Sequence, residues 1–193
     1  LDKYVWEETA RQIRDWKDRL HYSVPVSVNV SRVDMFDAGL TQTLEKILHD
    51  KGLTGKDLLL EVTESGYTQD SGQIIQTVEK LRDMGFQIEM DDFGSGYSSL
   101  NMLRNAPLDT IKIDRFFLDE IMATDRGKII VESSVRMSKQ LGLVTIAEGV
   151  ETKEQLEFLK GIGCDIAQGY YYSKPLPADE FAKYLRDKNS ENN

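Results

Sequence analysis

Residues 85–96 read GFQIEMDDFGSG. A glycine, a short apolar run, two aspartates and a glycine pair follow one another, and their order decides how the rest of the chain is parsed. Gly85 is the left-handed stop that ends a helix. FQIEM (86–90), bounded by turn signals, has the length of a buried strand. Asp91 and Asp92 then stand where that strand ends. Upstream, Ile74, Val78 and Leu81 recur at the spacing of one helix face, so the stretch is the second half of a helix–strand unit.

The unit recurs in both directions. Leu40, Leu44, Ile47 and Leu48 lead to Gly52, and the strand LLLEV (58–62) delivers Glu61. Before it, VPVSVNVS (24–31) ends on Asn29 and Ser31. A shorter helical segment after Ser98 leads to DTIKID (109–114), which carries Lys112 and Asp114. Ile130, Met137 and Leu141 lead to Gly142, and LVTIAE (143–148) delivers Glu148. Thr152 and Gln155 predict a capping box for a helix through Leu156 and Leu159, after which CDIAQ (164–168) delivers Gln168. At the start, Leu1, Val5, Ile13, Trp16 and Leu20 predict one more amphipathic helix.

Strands alternating with helices predict a parallel α/β sheet. A polar residue at the end of every strand favours a modified β/α barrel of the TIM type over an open doubly wound sheet. The six strands of this reading fall about two units short of the eight strands and roughly 250 residues of a closed barrel. Because the chain opens inside a helix, the barrel is expected to be incomplete at its N-terminus. Residues 1–187 read as one domain, and the polar run KNSENN (188–193) predicts a disordered tail.

The 193 residues, 40% of them hydrophobic, suffice for one core, and a net charge of −9 sets the chain against nucleic-acid polymers. One cysteine, Cys164, and two histidines build neither an internal disulfide nor a Cys/His zinc site, which fits a reducing cytoplasm. No apolar run approaches the ~20 residues of a membrane span. A membrane anchor elsewhere in a longer parent is compatible with this reading.

In such a barrel the strands present their C-terminal ends on one face. Asn29, Glu61, Asp91, Asp92, Lys112, Glu148 and Gln168 are therefore expected to converge on one mouth. Crowded carboxylates must either protonate or bind cations. These side chains offer oxygen and neither sulfur nor imidazole, which selects Mg²⁺ or Mn²⁺ over zinc or copper. Adjacent aspartates allow one of them to bridge two ions, the usual device for phosphoester hydrolysis, while Lys112 suits orienting water or holding phosphoryl charge.

A lone Asp-Asp is most often a turn or cap, and a lone Lys or Glu in a strand a solvated edge residue. Recurrence at the same point of successive units separates this pattern from both. His21 and His49 read as polar helix ends, Cys164 as a small core residue, and Tyr170, Tyr171 and Tyr172 as packing. Asp114 reads as an anchor for Arg115 or a backbone amide. Asp-Phe-Gly also occurs in protein kinases, but no glycine-rich loop or His-Arg-Asp segment accompanies it here.

NVS (29–31), EVTES (61–65), DDFGSGYSSL (91–100), IKIDRFF (111–117), AEGVET (147–152) and QGYYYSKP (168–175) resemble, in order and spacing, the motifs of the EAL domain. This is the family of bacterial phosphodiesterases that open cyclic di-GMP to linear pGpG with Mg²⁺ or Mn²⁺. The resemblance implies that Asn29, Glu61, Asp91 and Asp92 are metal ligands, Asp91 being the bridge, and that Glu148 completes the second ion's surroundings. Lys112 resembles the residue that orients or deprotonates the attacking water, and Gln168 one that contacts the hydrated metal site; Asp91, Lys112 and Gln168 would thereby meet the substrate. Glu64 and Glu151 resemble structural supports, Glu64 for a mobile DFGSG loop in which Gly94 and Gly96 supply backbone freedom.

The family's signature Glu-Ala-Leu, and a nearby phosphate-holding Arg, belong to N-terminal units that this chain lacks. The fragment alone is therefore expected to show little or no hydrolysis. Some members of the family bind cyclic di-GMP without cleaving it, so a receptor or dimerising regulatory module is the alternative reading. The retention of Asn29, Glu61, Asp91, Asp92, Lys112 and Glu148 favours the enzyme. A homodimer and further signalling domains in the parent are the partners the resemblance implies.

Overall fold

The computed structural model describes residues 1–67, 71–94, 100–115 and 124–191. Six parallel strands, β1 (Val26–Asn29), β2 (Leu58–Thr63), β3 (Ile88–Phe93), β4 (Thr110–Ile113), β5 (Val144–Ala147) and β6 (Ile166–Ala167), form one sheet in sequential order. The sheet curls into a half-barrel, with helices on its convex side. These are α1 (Asp2–Leu20), α2 (Arg32–Met35), α3 (Leu40–Lys51), α4 (Ser71–Asp83), α5 (Leu100–Asn105), α6 (Asp125–Gln140), α7 (Lys153–Gly161) and α8 (Ala178–Glu191).

The strand pattern explains the layering. Alternate residues point to opposite faces: Leu58, Leu60, Val62, Ile88, Met90 and Ile111 are buried toward the helices. There they join Leu44, Ile47, Leu48, Ile74, Val78 and Leu81 in one core cluster. Gly52 (φ 61°) and Gly85 (φ 90°) adopt the left-handed conformation on which the helix stops in the sequence rely. The predicted capping box is present, Thr152 Oγ1 accepting from Gln155 N and Gln155 Oε1 accepting from Thr152 N.

Two helices bury a stripe that only partly matches the one the sequence suggests. In α1 the inward residues are Trp6, Ala10, Ile13, Trp16 and Leu20, while Leu1 is 98% and Val5 43% exposed. The 6-10-13-16-20 series follows the helix period, and Trp6 is anchored by its Nε1 donating to Asn29 O at 2.9 Å. In α6 Gly127, Val131, Val135 and Ser138 face inward, and Ile130 and Leu141 are exposed. Tyr170, Tyr171 and Tyr172, read from the sequence as packing, are exposed as well; they follow β6, which lies at the sheet's edge. The last helix continues to Glu191, into the polar run expected to be disordered. Its apolar start docks on α1, and the polar residues extend the same hydrogen-bond ladder at small cost.

The first and last helices meet. Trp16 packs on Phe181 with ring centroids 5.1 Å apart, donates from Nε1 to Ala178 O at 3.2 Å, and heads a small cluster with Leu20 and Ala182. At the opposite end of the sheet from the predicted site, every second strand begins on an aspartate. Asp57, ahead of β2, accepts from Thr54 N (2.8 Å), Thr54 Oγ1 (2.8 Å) and Ser23 Oγ, with Lys17 of α1 at 3.9 Å. Asp109, ahead of β4, accepts from Ile88 N (2.9 Å) and pairs with Arg82 of α4 at 2.8 Å. Asp165, ahead of β6, accepts from Thr145 N (2.9 Å) and Thr145 Oγ1 (2.7 Å), with Lys139 of α6 at 3.4 Å. Each bolt ties a strand's start to its neighbourhood and to a helical cation.

Candidate active site

Strand register decides which side chains share the concave face. Asn29 is level with Glu61, Glu61 with Glu89, Thr63 with Asp91, Glu89 with Thr110, and Lys112 with Ile146. Counting by twos along each strand places Asn29, Glu61, Glu89, Asp91, Lys112 and Glu148 on that one face. Gln168 joins them one step past β6, its backbone N donating to Ala147 O at 2.8 Å. Asn29 and Gln168 are exposed at the two sides of the row.

Lys112 is the centre of this face. Its Nζ donates to Glu61 Oε1 at 2.6 Å, lies 2.6 Å from Glu148 Oε1 and 3.4 Å from Asp91 Oδ1, and its side chain is only 7% exposed. The three carboxylates come from β2, β3 and the end of β5. Burial opposes the charge on Lys112, but the bonds from Glu148 and Glu61 outweigh it and raise the ammonium's pKa. Glu148 titrates above the ordinary carboxylate range because burial outweighs its contact with Lys112.

Adjacent strand residues normally face opposite ways, so Asp91 and Asp92 should not serve one site. The backbone resolves this: the β3–β4 register shifts between Met90 and Phe93, and Asp92 has φ 58°. Aspartate tolerates that left-handed conformation better than most side chains. Asp92 stays within electrostatic reach of Asp91, Asp114, Lys112 and Glu61, and its pKa is raised, by burial first and by Asp91 next.

The expected supports occupy the surroundings. Glu64 is buried in a 3-10 turn after β2 and accepts from Gly94 N at 3.4 Å; Gly96 lies outside the described residues. Glu151 pairs with Arg115 at 2.8 Å. Between them Gly149 has φ 69°, and a Cβ there would come within 2.6 Å of Arg115 Cβ, so only glycine fits without displacement. His21 caps α1 and His49 lies in the last turn of α3, while Cys164 is half-buried against Leu156 and Leu159.

Glu89 is the residue that sequence reasoning passed over. It is 2% exposed, accepts from Ser27 Oγ at 2.7 Å, and has its pKa raised chiefly by burial. The signal was available: two residues before Asp91, Glu89 must share its face. Asp114 is also buried at the end of β4.

The donor chemistry fits a hard divalent cation. Asp91 Oδ1 is buried without a hydrogen bond, a state that costs free energy unless a cation faces it, and its neighbours Glu61, Asp92, Glu148 and Asn29 offer oxygen donors. As the acids stand, gathered on Lys112, no group of three or more His, Cys, Asp or Glu among the described residues is arranged to hold an ion by itself. No helix among the described residues is long and apolar enough to cross a membrane.

Comparison with known proteins follows the same line. The EAL domain model matches residues 1–175. The cyclic di-GMP phosphodiesterase NbdA of Pseudomonas aeruginosa is 38% identical over 96% of this chain and 24% of its own length. Among solved structures, the PaMucR phosphodiesterase in complex with c-di-GMP is 38% identical with a TM-score of 0.87, over 93% of this chain and 72% of that one. The Klebsiella pneumoniae BlrP1 calcium and cy-diGMP complex is 30% identical with a TM-score of 0.78, over 88% of this chain and 43% of that one. The chain spans about a quarter of the length of curated relatives such as NbdA.

Proposed function

The chain belongs to the EAL domain family, and from that premise we propose that it hydrolyses cyclic di-GMP, opening one phosphodiester to give linear pGpG. Asn29, Glu61, Asp91, Asp92 and Glu148 would hold two Mg²⁺ or Mn²⁺ ions. When bound, the ions supply Lewis-acid polarisation of the phosphodiester and lower the pKa of water.

The chain's own residues do the rest. Asp91, its Oδ1 without a hydrogen bond and 3.4 Å from the Lys112 ammonium, would exchange that contact for a metal ion. Lys112 remains charged at neutral pH and brings an ammonium into this acidic face, where phosphoryl charge builds or an attacking water is aligned. Gln168, exposed beyond β6, would contact the substrate side of the site. Glu64 steadies Gly94 from below, and the Arg115–Glu151 pair braces the loop after β5.

The observation that carries the reading is the convergence of acids from three strands around a buried Lys112. Its test is incubation of the full-length protein with cyclic di-GMP and Mg²⁺ or Mn²⁺, with nucleotide products separated by chromatography. Linear pGpG should accumulate, and Asp91→Asn should abolish it. Tight cyclic di-GMP binding with no turnover, unchanged by Asp91→Asn, would make the protein a receptor instead.

A further inference from the structure

We infer that Lys112 is a built-in cation of this site: in the metal-free protein its ammonium holds Glu61, Asp91 and Glu148 together, and it has to give up those contacts before a divalent ion can bind. The inference rests on the reading of these acids as metal ligands and adds to it a positioning role for Lys112 before any substrate arrives.

The geometry points to this directly. An ammonium has three protons. Lys112 Nζ lies 2.6 Å from both Glu61 Oε1 and Glu148 Oε1, and 3.4 Å from Asp91 Oδ1, which it meets as an ion pair without a hydrogen bond. Lys112 is 7% exposed, so its ammonium is largely withdrawn from solvent among the acids. Like charges from β2, β3 and β5 would otherwise repel at close range, and the ammonium is what permits them to stand on one face. The same arrangement explains why, among the described residues, no three acids are set to hold an ion as they stand: the middle of the cluster is occupied by a charge of the same sign as the ion. If Lys112 served only to orient water in the loaded site, its removal would leave metal affinity in the absence of substrate unchanged.

The experiment is a calorimetric titration of wild-type and Lys112→Met protein with Mg²⁺ and with Mn²⁺, without nucleotide, together with thermal melts. Removing one member of a buried charge cluster is worth several factors of ten, so Lys112→Met should bind the ion at least about tenfold more tightly than wild type. Its metal-free melting temperature should fall, and saturating Mg²⁺ should restore more of it than in wild type. Equal or weaker metal affinity in Lys112→Met, including no binding by either protein, overturns the inference.

If Lys112→Met does not fold without metal, the wild type carries the test. The ¹⁵N resonance of Lys112 Nζ should shift with added Mg²⁺ in step with saturation, and a resonance unchanged at saturation overturns the inference. Neither readout uses turnover. Absence of cyclic di-GMP cleavage would therefore sink the proposed function without touching this result, and the converse also holds.

Discussion

Replacing Asp57 by alanine should destabilise the protein although it lies at the end of the sheet away from the candidate site. The carboxylate is 5% exposed and accepts from Thr54 N and Thr54 Oγ1, each at 2.8 Å, and from Ser23 Oγ. Hydrogen bonds to a charged acceptor are worth about 1.5–3 kcal/mol each. The Ser23 and Thr54 hydroxyls lie near enough to the surface to turn to water, which recovers part of the loss, so the net cost is about 2–4 kcal/mol. For a chain of this size that lowers the melting temperature by roughly 4–16 °C.

The pH dependence supplies the sharper check. Burial alone would raise the Asp57 pKa, but the bonds from Ser23 and Thr54 together outweigh it and lower it. A depressed carboxylate pKa contributes stability that is present above the unfolded value, about 3.9, and lost as pH falls through the folded value. Melting followed by circular dichroism from pH 7 down to pH 3 should show wild type and Asp57→Ala far apart at neutral pH and converging in acid. A gap that stays constant across that range, or no gap at pH 7, would refute the assignment of Asp57 as a charged bolt.

Glu89→Gln should act in the opposite sense: burial raises the Glu89 pKa, so the charged form disfavours folding as pH rises through the folded value, and melts at pH 8 should show the variant above wild type, with the gain shrinking toward pH 4. Gly149→Ala combines a left-handed backbone with a clash at Arg115 and should cost about 1–3 kcal/mol in urea unfolding. Trp16→Ala removes the ring packed on Phe181 and the bond to Ala178 O; a loss of about 3–5 kcal/mol is expected, with hydrogen exchange rising first in α8. Glu64→Gln keeps an acceptor for Gly94 N, so its effect on stability should stay below about 1 kcal/mol, whereas Glu64→Ala should exceed it.

The strand order and the residues at the strand ends were legible because both rest on short-range rules. An apolar run of four to six residues bounded by glycine fixes a strand, and parallel connection sends every strand's C-terminal end the same way. The helix faces were less legible. Val5 and Trp6 are neighbours, and Trp6 turns inward in period with Ala10 and Ile13, a stripe that its bond to Asn29 O, a contact across 23 residues, fixes. Glu89 was hidden by the pair that follows it, since two adjacent aspartates attract a reading that a residue two positions earlier, alone among apolar neighbours, does not. The role of Lys112 as a hub needed coordinates: spacing says that Lys112 shares a face with Glu61 and Glu148, not that strand tilt brings all three to one point.

The two ends of the sheet use the same residue type for opposite purposes, and the hydrogen-bond supply separates them. At the strand starts, Asp57 and Asp165 are saturated by hydroxyl and backbone donors, and their pKa values fall despite burial. On the face around Lys112, burial and the charge of neighbouring acids outweigh the partners that Asp92 and Glu148 at the strand ends, and Glu89 near the start of β3, have, and raise theirs. A fold gains nothing from leaving buried acids underprovided, and Asp91 Oδ1, at the heart of that rim, makes no hydrogen bond and meets the Lys112 ammonium at 3.4 Å. Acids whose needs are met locally serve stability; acids whose needs are left for something else to meet are where binding and chemistry are to be sought. By this criterion the rim around Lys112 is the functional end of the molecule even before any relative is consulted, and the Asp57, Asp109 and Asp165 bolts are the structural end that holds it open.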